Sequence, residues 1–122
     1  MIPAQHSRSV TWAGSSRTDL ANFPKQVRRD MGQALYAAQR GETDPAAKPL
    51  KGFGGARVME IVDRYDSNAY RAVYTARFDE AIYVLHAFQK KSTRGAATPK
   101  HQIDLIRRRL ADAERLHRER QH

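Results

Sequence analysis

An apolar run in the second half of the chain contains a titratable ring and ends in two adjacent cations. In YVLHAFQKKS, residues 83–92, His86 stands among apolar residues, and Lys90 and Lys91 follow. Ammonium groups neutralise phosphates, and imidazole, which titrates near neutral pH, can act as a general acid or base. The alternatives are a solvated lysine pair and a hydrogen-bonded structural histidine. The apolar neighbours of His86 favour the structural histidine.

The preceding apolar run, YRAVYTARF at 70–78, carries two arginines. Because side chains alternate between the two faces of a strand, Arg71 and Arg77 share one face. A guanidinium group is suited to bidentate contact with a phosphate. The alternatives for Arg71 are a solvated strand arginine and an ion pair with Glu60 or Asp63.

The charge of the chain favours a polyanionic partner. Its 122 residues include 22 Lys and Arg against 13 Asp and Glu, a net charge of +9. The last part, residues 86–122, holds ten Lys and Arg and four Asp and Glu, so an anion would dock there most readily. Nucleic acid, the ribosome or an acidic protein partner all fit this charge, and a generally basic soluble surface is the alternative.

Length and hydropathy indicate the class of protein. A chain of 122 residues that is 40% hydrophobic is expected to form one domain, residues 1–122, with an ordered core at about 8–116. No window approaches the roughly 18 consecutive apolar residues of a membrane-spanning helix. We therefore expect a soluble, cytoplasmic protein with no membrane partner. The absence of cysteine excludes disulfides and thiolate ligands.

Neither a nucleotide-binding loop motif nor a metal site is expected. The stretch GFGGAR at 52–57 lacks the third glycine of a dinucleotide fingerprint and the GK[ST] ending of a P-loop, and it precedes a predicted strand. The five histidines show no paired ligand spacing with nearby carboxylates. The sequence therefore predicts no metal and no cofactor.

The first half of the chain predicts a strand followed by two helices. Strand-forming residues occupy 8–13, and apolar residues then recur every three or four positions through 16–40, the spacing of one helical face. Pro24 is expected to begin the second helix and Gly41 to end it. The segment 41–56 is rich in glycine and proline and is predicted to be a surface connection.

The second half predicts three antiparallel strands and a helix. The strands are expected at 57–65, 70–78 and 81–88, so that Lys90 and Lys91 follow the last strand. The helix is expected to start at Thr98-Pro99, with Thr98 as its N-cap, and to continue to residue 113 before a frayed tail. The fold class is therefore α+β, with helices packed on one face of an antiparallel sheet and the other face partly open.

These motifs together resemble the RelE/HigB-like toxins of bacterial type II toxin–antitoxin systems, within the RelE/ParE superfamily and especially its phage-derived HigB-like branch. The similarity extends from Val10 to about Ala113. The stretches that carry it occur in the family's order: FPKQVRRDMGQALYAAQRG at 23–41, AKPLKGFGG at 47–55, YRAVYTARF at 70–78, YVLHAFQKKS at 83–92 and TPK at 98–100.

The resemblance implies a RelE-like fold with the order strand, helix, helix, three antiparallel strands and C-terminal helix. It also implies a small toxin that a cognate antitoxin neutralises, commonly a helix-turn-helix protein, and that cleaves mRNA, usually on the ribosome. Arg71 matches the arginine that supports the phosphate in the active site of such nucleases. Lys90 and Lys91 match a position that supplies a catalytic or phosphate-binding cation.

The sequence departs from the best-known RelE pattern on the second predicted strand, where the family carries two lysines. Val58, Met59 and Glu60 stand there instead. Glu60 is a substitute proton acceptor, and the catalytic candidates are therefore Arg71, Lys90, Lys91, Glu60 and His86. Cations elsewhere are candidates for RNA binding: Lys48, Lys51, Arg57, Arg77, Arg94 and Lys100.

Two other functions remain open for the same fold. A ParE-like toxin poisons DNA gyrase without cleaving RNA, and it would not need cations arranged around one phosphate. A non-toxic remnant would only bind its antitoxin through the basic surface.

Overall fold

A five-stranded sheet lies at the centre of the computed structural model, which describes residues 7–91 and 98–120. Its order across the sheet is β1-β5-β4-β3-β2. Strand β1 runs parallel to β5, and every other neighbouring pair is antiparallel. The strands are β1 Ser9–Trp12, β2 Ala47–Pro49, β3 Val58–Tyr65, β4 Asn68–Thr75 and β5 Ala81–Lys91.

Three helices accompany the sheet: α1 Ser16–Ala21, α2 Lys25–Gln39 and α3 Lys100–Arg120. The prediction that Pro24 separates two helices is confirmed, because Pro24 occupies the N-cap of α2 with an extended ψ of 150°. The predicted end at Gly41 is also confirmed. Gly41 has a φ of +79°, and the Glu42 amide donates to the Ala37 carbonyl, as in a glycine-terminated helix.

Helices cover both faces of the sheet. On one face, α1 and α2 pack on alternate strand residues such as Tyr70, Ala72 and Tyr74. On the other, which we call the α3 face, α3 packs on residues that include Val73 and Leu85. The predicted alternation along β4 is confirmed, whereas the prediction of one partly open face is wrong. The apolar stripe of α3 needs a partner, because each large side chain gains roughly 1.5–3 kcal/mol from burial.

The tight turn between β3 and β4 fixes the register of the two strands that carry Glu60 and Arg71. Asp66 and Ser67 both adopt left-handed conformations, with φ of 51° and 66°. Two such residues match the right-handed twist of a two-residue hairpin. Tyr65 consequently pairs with Asn68, and Val62 pairs with Arg71.

Several boundaries and pairings differ from the predictions. The connection 41–56 contains β2, since its three residues complete the sheet edge beside β3. The sheet is not purely antiparallel, because β1 joins β5 in parallel. Strand β5 continues past Phe88 through Lys91, and α3 continues through Arg120 rather than fraying. In each case, contacts with distant segments extend or create the element.

Candidate active site on the α3 face

Strand register brings four of the five catalytic candidates to adjoining positions on the α3 face. Directly opposed residues in antiparallel strands share a face. Glu60 is opposed by Lys48 on β2 and by Val73 on β4, and His86 on β5 opposes Val73. The next row holds Val62, Arg71 and Phe88, and the row after it holds Arg64, Ala69 and Lys90. We call Glu60, Arg71, His86 and Lys90 the strand-face site.

Arg71 and Glu60 form the central contact of this site. Nη1 of Arg71 lies 2.8 Å from Oε1 of Glu60, and each side chain is only 12% exposed. The pairing anticipated as one alternative for Arg71 is therefore present. The Nε atom of Arg71 is buried and has no hydrogen-bond partner in the described part of the chain. A buried donor in this state is destabilising until an acceptor reaches it.

Thr98, two residues before α3, binds the other oxygen of Glu60. The Thr98 hydroxyl donates to Oε2 of Glu60 at 2.8 Å. Thr98 was expected to cap the helix, but α3 begins at Lys100, and the carbonyl of Pro99 accepts from the amides of Gln102 and Ile103. The capping prediction for Thr98 is therefore wrong, because its hydroxyl bonds to the sheet instead.

His86 is buried, with 7% of its surface exposed, and α3 contacts both of its ring nitrogens. Nε2 hydrogen-bonds Oε1 of Gln102, and Nη1 of Arg109 lies 3.3 Å from Nδ1. Since a guanidinium group can only donate, Nδ1 accepts from Arg109, and Nε2 carries the single ring proton. The ring is therefore neutral. Burial lowers the pKa of His86; the bond to Gln102 opposes this shift, and the charge of Arg109 adds to it.

A bulge in β5 turns His86 toward α3. Val73 pairs with His86 and the next residue, Tyr74, pairs with Val84, so Leu85 is an extra residue. A bulge of this kind lets two consecutive side chains point to the same face. The Leu85 carbonyl accepts from Nη1 of Arg109 at 3.0 Å, and the His86 ring stacks on Phe88 at 4.8 Å between centroids. Sequence alternation alone could not have located this bulge.

Lys90 and Lys91 belong to β5, so the prediction that they follow its end is wrong. Lys90 is half-buried and pairs with Ala69, two residues along β5 from Phe88. Lys91 pairs through its backbone with Asn68. Arg64 shares the row of Lys90 and is exposed, yet it was not among the sequence candidates. The strand period and the turn at Asp66-Ser67 were the signals that would have indicated it.

The RNA-binding candidates are dispersed. Lys48 shares the row of Glu60 and is exposed; Lys51 is exposed in the turn after β2; and exposed Lys100 pairs with Asp104 at 2.9 Å. Arg57 lines a small cleft beside Tyr74 on the opposite face. Arg77 bonds Glu114 near the middle of α3, six residues and roughly 20 Å along the chain from Arg71. Arg94 lies outside the described residues.

The other face carries a pair of carboxyl groups that does not join this site. Burial, followed by a hydrogen bond and charge from Asp30, raises the pKa of Asp63 to about 6. Asp63 opposes Tyr70 on the side of α1 and α2. Within 7–91 and 98–120, no three His, Asp or Glu side chains cluster as metal ligands would. In the same ranges, no helix is long and apolar enough to cross a membrane.

Comparison with known proteins identifies the family. The model of the phage-derived Gp49-like proteins matches residues 18–111, so the chain belongs to that family. This membership confirms the resemblance to RelE/HigB-like toxins, and it classes the chain as a toxin of a toxin–antitoxin system. No curated protein matches the chain significantly.

Among solved structures, a chain of the toxin–antitoxin complex RelBE2 from Mycobacterium tuberculosis is similar to this protein. The two are 20% identical, and the match covers 69% of this chain and 99% of that one, with a TM-score of 0.44.

Proposed function

We propose that this toxin is a metal-independent endoribonuclease that cleaves mRNA on the ribosome and inhibits translation in the cytoplasm until its antitoxin binds. The observation that carries the proposal is the nearly buried Arg71–Glu60 pair, which offers a phosphate-binding cation and a proton acceptor in contact. Family membership supports the same proposal. The antitoxin is proposed to be a helix-turn-helix protein, as in related systems.

In the proposed reaction, Glu60 accepts the proton of a ribose 2′-hydroxyl, and the 2′ oxygen attacks the adjacent phosphorus. The bond from phosphorus to the 5′ oxygen breaks, and that oxygen takes a proton from water; the hydroxide left behind takes the proton from Glu60, which restores the carboxylate. The products are a 2′,3′-cyclic phosphate and a 5′-hydroxyl end. Arg71 binds the phosphate, and its Nε, which has no partner in the described part of the chain, gains an acceptor.

The neighbouring cations raise the local positive potential where the phosphate would lie. Lys90 is one row from Arg71 along β5, and Arg64 is in the same row as Lys90. Lys48, opposite Glu60, extends this charge to β2. Three cations around one ion pair give the site a net positive charge, which favours a phosphate in the transition state.

His86 is proposed to be a positioning residue rather than an acid or base. Both ring nitrogens are engaged by α3, and the ring supports Phe88, which opposes Arg71. Removing His86 should therefore loosen the placement of Arg71 without deleting a proton-transfer group.

The test maps the 5′ ends of cellular mRNA after a short pulse of the wild-type protein, Arg71→Ala or Arg29→Ala. Arg29 is an exposed arginine of α2, so its replacement makes the same charge change away from the site. We expect new ends within translated codons for the wild type and Arg29→Ala, and none for Arg71→Ala. Circular dichroism of purified Arg71→Ala checks that the fold persists.

Two results would replace the proposal. Intact mRNA in arrested cells, together with inhibited gyrase supercoiling, would identify a ParE-like action. Tight antitoxin binding with unaffected growth would identify a non-toxic remnant.

A further inference from the structure

A cleft separate from the strand-face site lies between the glycine-rich turn before β3 and the middle of α3. Its volume is about 560 Å³, and the residues important here are Gly52, Phe53, Gly55, Arg77, Arg107 and Glu114. We call it the glycine cleft. None of the four strand-face residues lines it, and Arg77 on its rim is roughly 20 Å along the chain from Arg71.

Arg107 is the cation that the glycine cleft presents to a ligand. Arg77 is already bonded to Glu114, so their charges offset one another. Arg107 forms no ion pair with any described carboxylate; the nearest acid along α3, Asp104, pairs with Lys100. The guanidinium of Arg107 lies over the Phe53 ring, 4.6 Å from its centroid. Because Phe53 is buried and Arg107 is exposed, the cleft offers a ligand the positively charged guanidinium supported from beneath by an aromatic ring.

The turn beside this pair leaves room for close approach of a ligand. Gly52 has a φ of +94° and Gly54 a φ of +56°, conformations that favour glycine. A Cβ atom at Gly52 would lie 3.2 Å from Nη2 of Arg107, whereas one at Gly55 would meet no atom within 4 Å. The backbone at this rim is therefore accessible, and the Gly52 backbone passes directly beside the cation.

We propose that the glycine cleft binds one nucleotide of single-stranded RNA away from the scissile phosphate. The base stacks on the outer face of the exposed Arg107 guanidinium, which the buried Phe53 ring supports from the other side, and a phosphate oxygen accepts from Arg107. Arginine side chains bind single strands in this way, because the guanidinium plane stacks on a base and its charge attracts the phosphate. A volume of about 560 Å³ falls within the range of small-ligand sites. The assignment of RNA as the strand rests on the proposed nuclease function.

The test measures binding of a short 2′-O-methyl RNA, which cannot be cleaved because its 2′ oxygens are blocked. Arg107→Ala is compared with Arg108→Ala, a neighbour on α3 that is also exposed but does not line the cleft. Each substitution removes one positive charge, so both variants lose the same general electrostatic attraction for RNA. We expect Arg107→Ala to weaken binding about tenfold more than Arg108→Ala does. Phe53→Leu, which keeps an apolar side chain, should also weaken binding.

A second measurement locates the ligand by NMR. Titration of the wild-type protein with adenosine 5′-monophosphate should shift the amide resonances of Gly52 and Gly55, and Arg107→Ala should abolish those shifts. Equal affinities for Arg107→Ala and Arg108→Ala, with unmoved glycine resonances, would overturn the inference. The inference would also be overturned if Arg107→Ala lost antitoxin binding and kept RNA binding, because the cleft would then bind a peptide.

The outcomes separate this inference from the proposed nuclease function. RNA cleavage that depends on Arg71, together with equal binding by the two α3 variants, would refute only the cleft. Conversely, glycine shifts that depend on Arg107 in a protein that never cleaves RNA would support the cleft and refute the nuclease.

Discussion

Replacing Arg71 alone is expected to cost at least as much stability as replacing both partners of the Arg71–Glu60 pair. The perturbations are Arg71→Met, which keeps much of the side-chain volume, Glu60→Gln, which keeps the shape of the carboxylate, and the double variant. In Arg71→Met the carboxylate of Glu60 stays nearly buried and keeps only the Thr98 hydroxyl as a hydrogen-bond partner. In Glu60→Gln the guanidinium of Arg71 loses its countercharge.

The magnitude follows from the geometry. At 2.8 Å, two unit charges attract by about 6 kcal/mol at an effective dielectric constant of about 20. Desolvation of both ions offsets much of this attraction. With each side chain only 12% exposed, solvent relieves little of the cost of an unpaired charge. Removal of one partner from such a pair typically costs about 3–5 kcal/mol. Because the pair retains some exposure and Thr98 remains, we expect about 2–3 kcal/mol for Arg71→Met and somewhat less for Glu60→Gln.

The assay is urea unfolding followed by circular dichroism, analysed as a double-mutant cycle. We expect the double variant to be no less stable than Arg71→Met, which corresponds to a coupling energy of at least about 1.5 kcal/mol. Raising the ionic strength should change this coupling little, since the pair is nearly buried. Additive losses, with a coupling below about 0.5 kcal/mol, would refute the reasoning that the two charges depend on one another.

Three other predictions concern titration and packing. Burial and Asp30 raise the folded-state pKa of Asp63 from 3.8 to about 6, so the free energy of unfolding should fall as the pH rises between these values. In urea unfolding, Asp63→Asn should therefore raise this free energy by about 1 kcal/mol more at about pH 8 than at about pH 4. Burial lowers the pKa of His86, so its NMR titration should have a midpoint below 6.5. The free energy of unfolding should decline as the pH falls from 6.5 towards that midpoint. A midpoint above 6.5 would contradict the neutral, buried ring. Gly14 has a φ of +52°, and a Cβ atom added there would lie 2.7 Å from the Arg109 guanidinium. Gly14→Ala should therefore lower the free energy of unfolding by about 1–3 kcal/mol. An unchanged thermal midpoint would contradict both the backbone strain and the clash with Arg109.

Local patterns were enough to predict much of the fold. The helical spacing of apolar residues, the proline at 24 and the glycine at 41 identified α1 and α2, because these signals act within a few residues. The alternation at 70–75 correctly divided β4 between two faces, but the predicted continuation to 78 is wrong, because β4 ends at Thr75 and Phe78 packs with Val73 on the α3 face. The pairing of β1 with β5 and the strand β2 were missed, since both depend on partners far away in the chain.

For the candidate site, the sequence identified the residue types but not their roles. Arg71, Glu60 and Lys90 were all candidates, and register then placed them on neighbouring strands of one face. The apolar neighbours of His86 already favoured a structural role over proton transfer, but only the fold showed its partners: Gln102 and Arg109, which lie 16 and 23 residues away, engage both ring nitrogens. The sequence did not indicate that Arg107 and Phe53 form a pair, because 54 positions separate them and only the packing of α3 brings Arg107 over the Phe53 ring.

The sequence by itself determined the basic character of the chain, its α+β class, the order of its main elements and its family, because composition, periodicity and motifs are properties of short stretches. Only the tertiary structure decided that α3 covers the second face of the sheet and contacts His86, and that Thr98, just before α3, donates to Glu60. The reason is physical: the ion pair, the neutral histidine and the glycine cleft each join groups from separate segments. Their burial and partners therefore exist only after the chain has packed.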